Sequence, residues 1–587
     1  MFFLPRKVRQ VAAFLAAGLS LALAVALFKG DFSYTIPWLG DKVEFSLRIY
    51  QFSGFIMLAA AFFVFLVVLY SLQFMKGKNL QGQFYAYVLL CAALANGAVL
   101  ADNLLLLLFF WEGLLLVLFG LIAIGRAGAF KTATKAFIIV GISDLCMMIG
   151  IALAWQQSGT LTISAINLSL TPLSAFAFIM LMIGAISKAG SMPFHSWIPD
   201  AADDAPLPFM ALLPAALEKL LGIYFLTRIS LDLFKLAPGS WISVFMMSIG
   251  AITIILAVMM ALIQKDYKRL LSYHAISQVG YMILGIGTCV PVGIVGGLFH
   301  MINNALYKSC LFLTGGAVEK QTGTTDLHYL GGLRFKMPIT CACFLITAAS
   351  ISGMPPFNGF FSKELIYDAA LERGMVFYLA AVVGTFLTAA SFLKLGHAAF
   401  FGKERSELKG VREVSASMFI PMIVIALACI VFGVFNYLPL NNLIQPVLGE
   451  RLEGHSYAGY HVNVILALIT VLVLASAFIH HIVVAKMKGA ALKAADDIRY
   501  APGLSQVYDL AQRRFFDPYD IGLKAMNLFS RTLWYLDQGI DWIYNSFAPG
   551  VGYGLSKGIR MIHTGYYPVY ISWALVGMFA VLYFLRK

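Results

Sequence analysis

Lys188 closes one apolar stretch, TPLSAFAFIMLMIGAISKAG, and Lys363 follows another in SISGMPPFNGFFSKE. Glu112 lies inside a third, NLLLLLFFWEGLLLVLFGLIAI. A charge at membrane depth costs about 2.5–3.5 kcal/mol on insertion scales, so it needs an interior partner, water or a task. A buried lysine can give up its proton near neutrality, because desolvation favours the uncharged amine. A row of such groups is what a proton path through a membrane protein requires.

More polar residues interrupt neighbouring apolar runs. Asp144 sits in IVGISDLCMMIG, Glu218 and Lys219 in LLPAALEKLLGIY, and Glu364 directly after Lys363 as a candidate local partner. In GLFHMINNALYKSCLFL, His300, Asn304 and Lys308 recur every fourth residue, which puts them on one helix face. His274, with Tyr273, Ser277 and Gln278 in LSYHAISQVGYM, could extend that line of hydrogen-bonding side chains. Plainer uses exist for each: helix–helix hydrogen bonds for Glu112 and Asp144, and snorkelling to the headgroups for Lys188. No nucleophile stands beside a base. No metal box, Walker loop or GxGxxG appears, so the sequence offers no cofactor site. Of the seven cysteines only Cys341 and Cys343 are close, inside an apolar run, which argues against an iron–sulfur or zinc site.

The elements that carry these residues must span a bilayer. The 587-residue chain is 60% hydrophobic and 12% charged, with mean hydropathy +0.83. That composition specifies an all-α polytopic membrane protein. Apolar stretches of about 20 residues recur roughly fifteen times between residue 10 and the C-terminal end. The sixth (172–190), tenth (292–317) and twelfth (375–400) read as interrupted. The related segments SKAGSMPFHSW and SISGMPPFNGFF mark breaks in two halves, the signature of discontinuous helices in an internal repeat.

The net charge of +13 suits a positive inner membrane face rather than nucleic acid. Arg6, Lys7 and Arg9 place the N-terminus in the cytoplasm. The same face then receives Lys76, Lys78, Arg126, Lys131, Lys135, Lys265, Lys268 and Arg269, with Asp200, Asp203 and Asp204 as an acidic exception. Five regions follow: N-terminal spans (1–82), a core (83–415), further spans (416–485), a polar amphipathic segment (486–567) and a last anchor (568–587). The segment 486–567 has the aromatic-rich periodicity of a helix lying on the cytoplasmic surface, with 505–550 available to hold neighbouring subunits.

VLADNLLLLLFFWEGLLL, ISKAGSMPFHSWIPDA, LIQKDYKRLLSYHAISQVGYM, HMINNALYKSCLFLTGGAV and GMPPFNGFFSKE together resemble the antiporter-like subunits of respiratory complex I and its relatives. The resemblance covers roughly residues 85–400, and the tail resembles the lateral helix of the large distal subunit. It implies 14–15 transmembrane helices and two inverted five-helix repeats with broken helices. It also implies a charged axis in which Glu112 is the key glutamate, Lys188 the broken-helix lysine, Lys308 the central lysine and Lys363 the terminal one. Pro214 and Asn304 stand where complex I members usually carry histidine, and Glu218–Lys219 is similar to membrane-bound hydrogenase subunits. The implied function is translocation of protons or sodium ions in a redox-driven complex of the cell (inner) membrane, with electrons carried by other subunits. A subunit of a sodium/proton antiporter and a membrane partner of inorganic-carbon uptake are the alternatives.

Overall fold

A computed structural model describes residues 5–78, 80–459 and 463–586. Among them, twelve helices are long and apolar enough to cross a membrane. Three more belong with them: α11 (Tyr267–Gly287), α12 (Pro291–Thr322) and the short α13 (Pro338–Ser352). The first two carry too many polar residues to register as apolar spans, and the third is cut short by a break. Together they recover the number read from the sequence.

The chain opens with α1 (Arg6–Leu27), a hairpin of β1 (Phe32–Trp38) and β2 (Gly40–Ile49), and α2 (Gln51–Phe74). The antiparallel hairpin adds a small sheet to an otherwise helical chain. It docks where Asp102 N–H donates to the Ser46 carbonyl at 2.9 Å, and Trp38 meets Phe109 edge-on.

Five crossings follow: α3 (Gln81–Leu100), α4 (Leu104–Ala123), α5 (Ala129–Ser158), the broken pair α6 (Pro172–Ala189) and α7 (Trp197–Asp204), and α8 (Leu207–Leu212) continued by α9 (Glu218–Arg228). A second five repeat the plan: α10 (Trp241–Ile263), α11, α12, the broken pair α13 and α14 (Asn358–Arg373), and α15 (Met375–Gly396). Local devices recur in both. Asn103 caps α4 and bridges to Thr162; Asp266 caps α11 and bridges to Asp326. Gly190 and Gly353 end the first half-helices in left-handed geometry, at φ +80° in each, which glycine adopts without steric cost. Five crossings per repeat is odd, so the second repeat enters from the opposite face and is inverted.

The interruptions differ from the sequence reading at two places. Span ten is unbroken α12: Gly296 and Gly297 serve close packing, for a Cβ there would come within about 3 Å of Leu365 and of the Met282 carbonyl. Span twelve is bulged, not broken, its α15 running on into a π turn at His397–Phe401. The second broken span is the eleventh, α13–α14.

Beyond the repeats lie α16 (Ala416–Val434) and the span Val464–Lys488. The chain divides into two units at Arg513/Arg514, inside the segment the sequence treats as one polar region. The second unit is a helix of 25 residues from Pro518, a π turn and 15 further residues to Ile562, followed by Tyr567–Leu585. None of its helical residues is buried.

The acidic exception at 200–204 resolves into counterions. Asp200 accepts from Lys135 at 3.0 Å, Asp203 from Arg269 at 2.6 Å and Asp204 from Arg126 at 2.5 Å. The aspartates therefore tie together the loops of the Lys/Arg-rich face.

Candidate functional site

In the first repeat the apolar walls of α4, α5 and α6 enclose Trp111, Asp144 and Lys188. Trp111 Nε1 donates to Asp144 Oδ1 at 3.0 Å. Lys188, in the last turn of α6, donates to the Trp111 carbonyl at 3.3 Å and lies 4.9 Å from the centre of the indole ring. A cation over a desolvated indole face is stabilised by about 2 kcal/mol. Position in the last turn helps too, since the carbonyl end of a helix favours a positive charge. Lys188 is thus held by a carbonyl and a ring rather than clamped by a carboxylate. It remains within electrostatic reach of Glu112, Asp144 and Glu218. Glu112 is half-exposed on the bundle surface, whereas Asp144 and Lys188 are buried.

Glu218 and Lys219 follow a π turn at Leu213–Leu217 that contains Pro214. Proline has no N–H to give, and a π turn inside an α-helix commonly marks a functional position. Asn304 Nδ2 on α12 reaches the Ala215 carbonyl of that turn at 3.4 Å. Lys219 is completely buried, and its Nζ has no hydrogen-bond partner among the described residues. It faces the first break, about 3.1 Å from where a Cβ on Gly190 would stand. Exchanging Gly190 for alanine should cost about 1–2 kcal/mol for the left-handed backbone alone. It should also push Lys219 aside, lowering ion uptake. A denaturation midpoint and an uptake assay on one preparation check both effects.

In the second repeat α12 is buried from Val292 to Val318 and presents polar groups to several neighbours. Lys308 donates to the Leu271 carbonyl at 2.8 Å. His274 Nε2 meets Ser391 Oγ at 2.9 Å. His300 lies between Ser362 Oγ, 3.0 Å from Nδ1, and Gln278 Oε1, 3.1 Å from Nε2; the Tyr307 hydroxyl is 3.2 Å from Nε2. An amide oxygen only accepts, so Nε2 carries the hydrogen here and Nδ1 accepts from Ser362. Lys363 sits in α14, past the break. It donates to the Ile351 carbonyl at 2.9 Å and to Thr385 Oγ1 at 3.2 Å. Aligned on Gly190 and Gly353, Ile351 takes the place of Lys188. The second ammonium thus returns from the far side of its break to the end of the first half-helix.

Seven buried polar atoms along this line have no hydrogen-bond partner among the described residues: Asp144 Oδ2, Glu218 Oε2, Lys219 Nζ, Asn304 Oδ1, His274 Nδ1, Gln278 Nε2 and Glu364 Oε2. Buried polar groups are nearly always satisfied, by water where protein does not supply the partner.

A family model described as NADH:quinone oxidoreductase/Mrp antiporter, TM, matches residues 101–388. Residues 101–388 are an antiporter-like membrane domain of this family. It is 34% identical over 414 residues to the Na(+)/H(+) antiporter subunit A1 of Staphylococcus haemolyticus (strain JCSC1435), covering 65% of this chain and 51% of that protein. The chain spans about half the length of the curated relatives it matches. A chain of the Mrp complex from Dietzia sp. DQ12-45-1b shares the fold with TM-score 0.70 and 22% identity, over 76% of this chain and 93% of that one. A chain of the membrane-bound sulfane sulfur reductase, an archaeal respiratory membrane complex, aligns with TM-score 0.68 and 25% identity, over 76% and 92%.

Within this antiporter-like core, Lys188, Lys219, Lys308, His274, His300 and Lys363 lie on helices that pack together through the bundle interior. One sequence expectation changes. Glu364 is not hydrogen-bonded to Lys363; neighbours on a helix point about 100° apart. It accepts instead from Thr470 at 2.6 Å. Gln278 joins the line through His300. The sequence reading also passed over Lys394, buried on α15, which donates to the Leu262 and Gln264 carbonyls at 2.5 and 2.8 Å. At the end of an apolar run it reads as a snorkelling residue.

Proposed function

We propose that this antiporter-like subunit translocates protons, or sodium ions coupled to them, across the cell membrane as one member of a multisubunit complex. The observation that carries the reading is the line from Asp144 to Glu364, in which five titratable side chains and two amides hold buried polar atoms without a partner among the described residues. Water between these groups would join the hydrogen-bonded islands into one relay. The half-exposed Glu112 would open the relay toward a neighbouring subunit, and the amphipathic helix from Pro518 to Ile562 would hold such neighbours.

The driving force we infer is redox chemistry on other subunits. Support comes from the alignment with the archaeal respiratory complex, which covers 92% of that chain, and from Glu218–Lys219, which is similar to membrane-bound hydrogenase subunits. A second reading, a subunit of a sodium/proton antiporter, is favoured by the 34% identity to the staphylococcal protein. Proteoliposomes holding the purified complex separate the two. The redox reading expects acidification only when electron donor and acceptor are supplied. Acidification driven by a sodium gradient alone would replace it with antiport.

The N-terminus and the segment 486–567 should face the cytoplasm, because the Lys/Arg-rich loops lie on that side. A cysteine at position 505 should resist an impermeant maleimide in sealed cells and react in inverted vesicles. Labelling in sealed cells would reverse the orientation.

A further inference from the structure

Between α13, α15 and the span Val464–Lys488 the bundle contains a deep groove. Its inner part, about 780 Å³, is walled by Phe344, Ala348, Phe392, Val471 and Phe478 and ends at Met354 and Pro355 of the second break. An outer part of about 980 Å³ shares His397, His481 and Ile482 with it, so the two adjoin at these side chains. The outer part opens among Lys403, Arg405, Lys486 and Lys493. The carboxylate on this rim, Glu404, is occupied by Lys336 at 2.7 Å. The mouth is therefore strongly basic, while the interior is apolar. At the junction His397 Nδ1 and His481 Nε2 lie 3.0 Å apart.

We propose that this groove binds one anionic phospholipid of the bilayer, with an acyl chain along α13 and the phosphate among Lys403, Arg405, Lys486 and Lys493. The lining is mostly apolar, so hydrocarbon suits it better than water. The 15 residues of α13 rise about 22 Å from the basic face to the break. That exceeds half of a roughly 30 Å hydrocarbon core, so a chain anchored at the headgroup level can reach Met354. Clustered Lys and Arg at the membrane boundary are the usual recognition chemistry for anionic headgroups. Neither feature alone selects this ligand; their adjacency along one side of the bundle does, because only an amphiphile needs both.

The test uses the assembled complex in nanodiscs of equal phosphatidylglycerol and phosphatidylcholine, with retained lipid read by native mass spectrometry. The wild type should keep one phosphatidylglycerol. Each neutralised charge should weaken retention about fivefold, so Lys403→Gln with Lys486→Gln should lower it roughly 25-fold. Both side chains are exposed, so folding is not at stake. Ala475→Trp, which fills the groove from its exposed side, should exclude phosphatidylglycerol without touching the charges. Equal retention of phosphatidylcholine, or unchanged retention in both variants, would overturn the proposal. So would a high-yield disulfide between Ala475→Cys and Ile571→Cys, which would put the chain's own last helix in the groove.

Discussion

Ion uptake falls at least tenfold when Lys188 is replaced by methionine, while the complex stays assembled. Methionine keeps most of the side chain's length but carries no titratable proton. Lys188→Arg should fail as well, since a guanidinium stays charged and cannot pass its proton on. The geometry separates this outcome from general damage. Lys188 contacts a carbonyl and an indole face, and Asp144 keeps its bond from Trp111. Losing the ammonium should therefore cost no more than about 2 kcal/mol of stability. Glu112→Gln should lower uptake in the same direction. The check is pH-dye fluorescence in proteoliposomes, with assembly followed on native gels. Normal uptake in an assembled Lys188→Met complex would remove Lys188 from the path. A purely structural charge would instead be rescued by neutralising its carboxylate neighbours as well.

Arg228→Met should cost about 3–5 kcal/mol, the usual penalty for breaking a buried ion pair from one side. Arg228 lies 3.5 Å from Asp102, and both side chains are less than one-tenth exposed. Asp102 has further duties: its carboxylate accepts from Ser164 N–H at 3.1 Å and from the Ser164 hydroxyl at 2.6 Å. Asp102→Asn in the same chain should recover part of the loss, because the remaining buried group is then neutral. Arg228 lies outside the line of titratable groups, so uptake per assembled complex should change little. Denaturation midpoints of the two variants decide the matter; a single-variant loss under about 1 kcal/mol would show that water already solvates the pair.

The spans were legible because a bilayer demands long apolar runs, and the charges because nothing apolar explains them. The first break was legible in SKAGSMPFHSW for the same reason that Gly190 is strained for any other residue. Span ten reads as interrupted yet is unbroken; its Gly296 and Gly297 serve close approach, a tertiary fact. The hairpin had a signal, the alternation of Val43, Phe45, Leu47 and Ile49 with polar residues, but its short period is lost among spans of 20. Partners were the least legible. The sequence allowed Glu364 to pair with Lys363 and left Trp111 without a part. Which carbonyl or ring receives each ammonium is settled by packing between helices far apart in the chain.

The return of Lys363 to the Ile351 carbonyl bears on how such duplicated chains diverge. Set side by side, residue by residue, the two halves would score a lysine lost at 351 and another gained at an unrelated site. In space, the ammonium still serves the end of the first half-helix, now from the opposite bank of the break. Columns of letters alone would miss that an ammonium stands near the end of the first half-helix in both repeats, once from its own last turn and once from across the break.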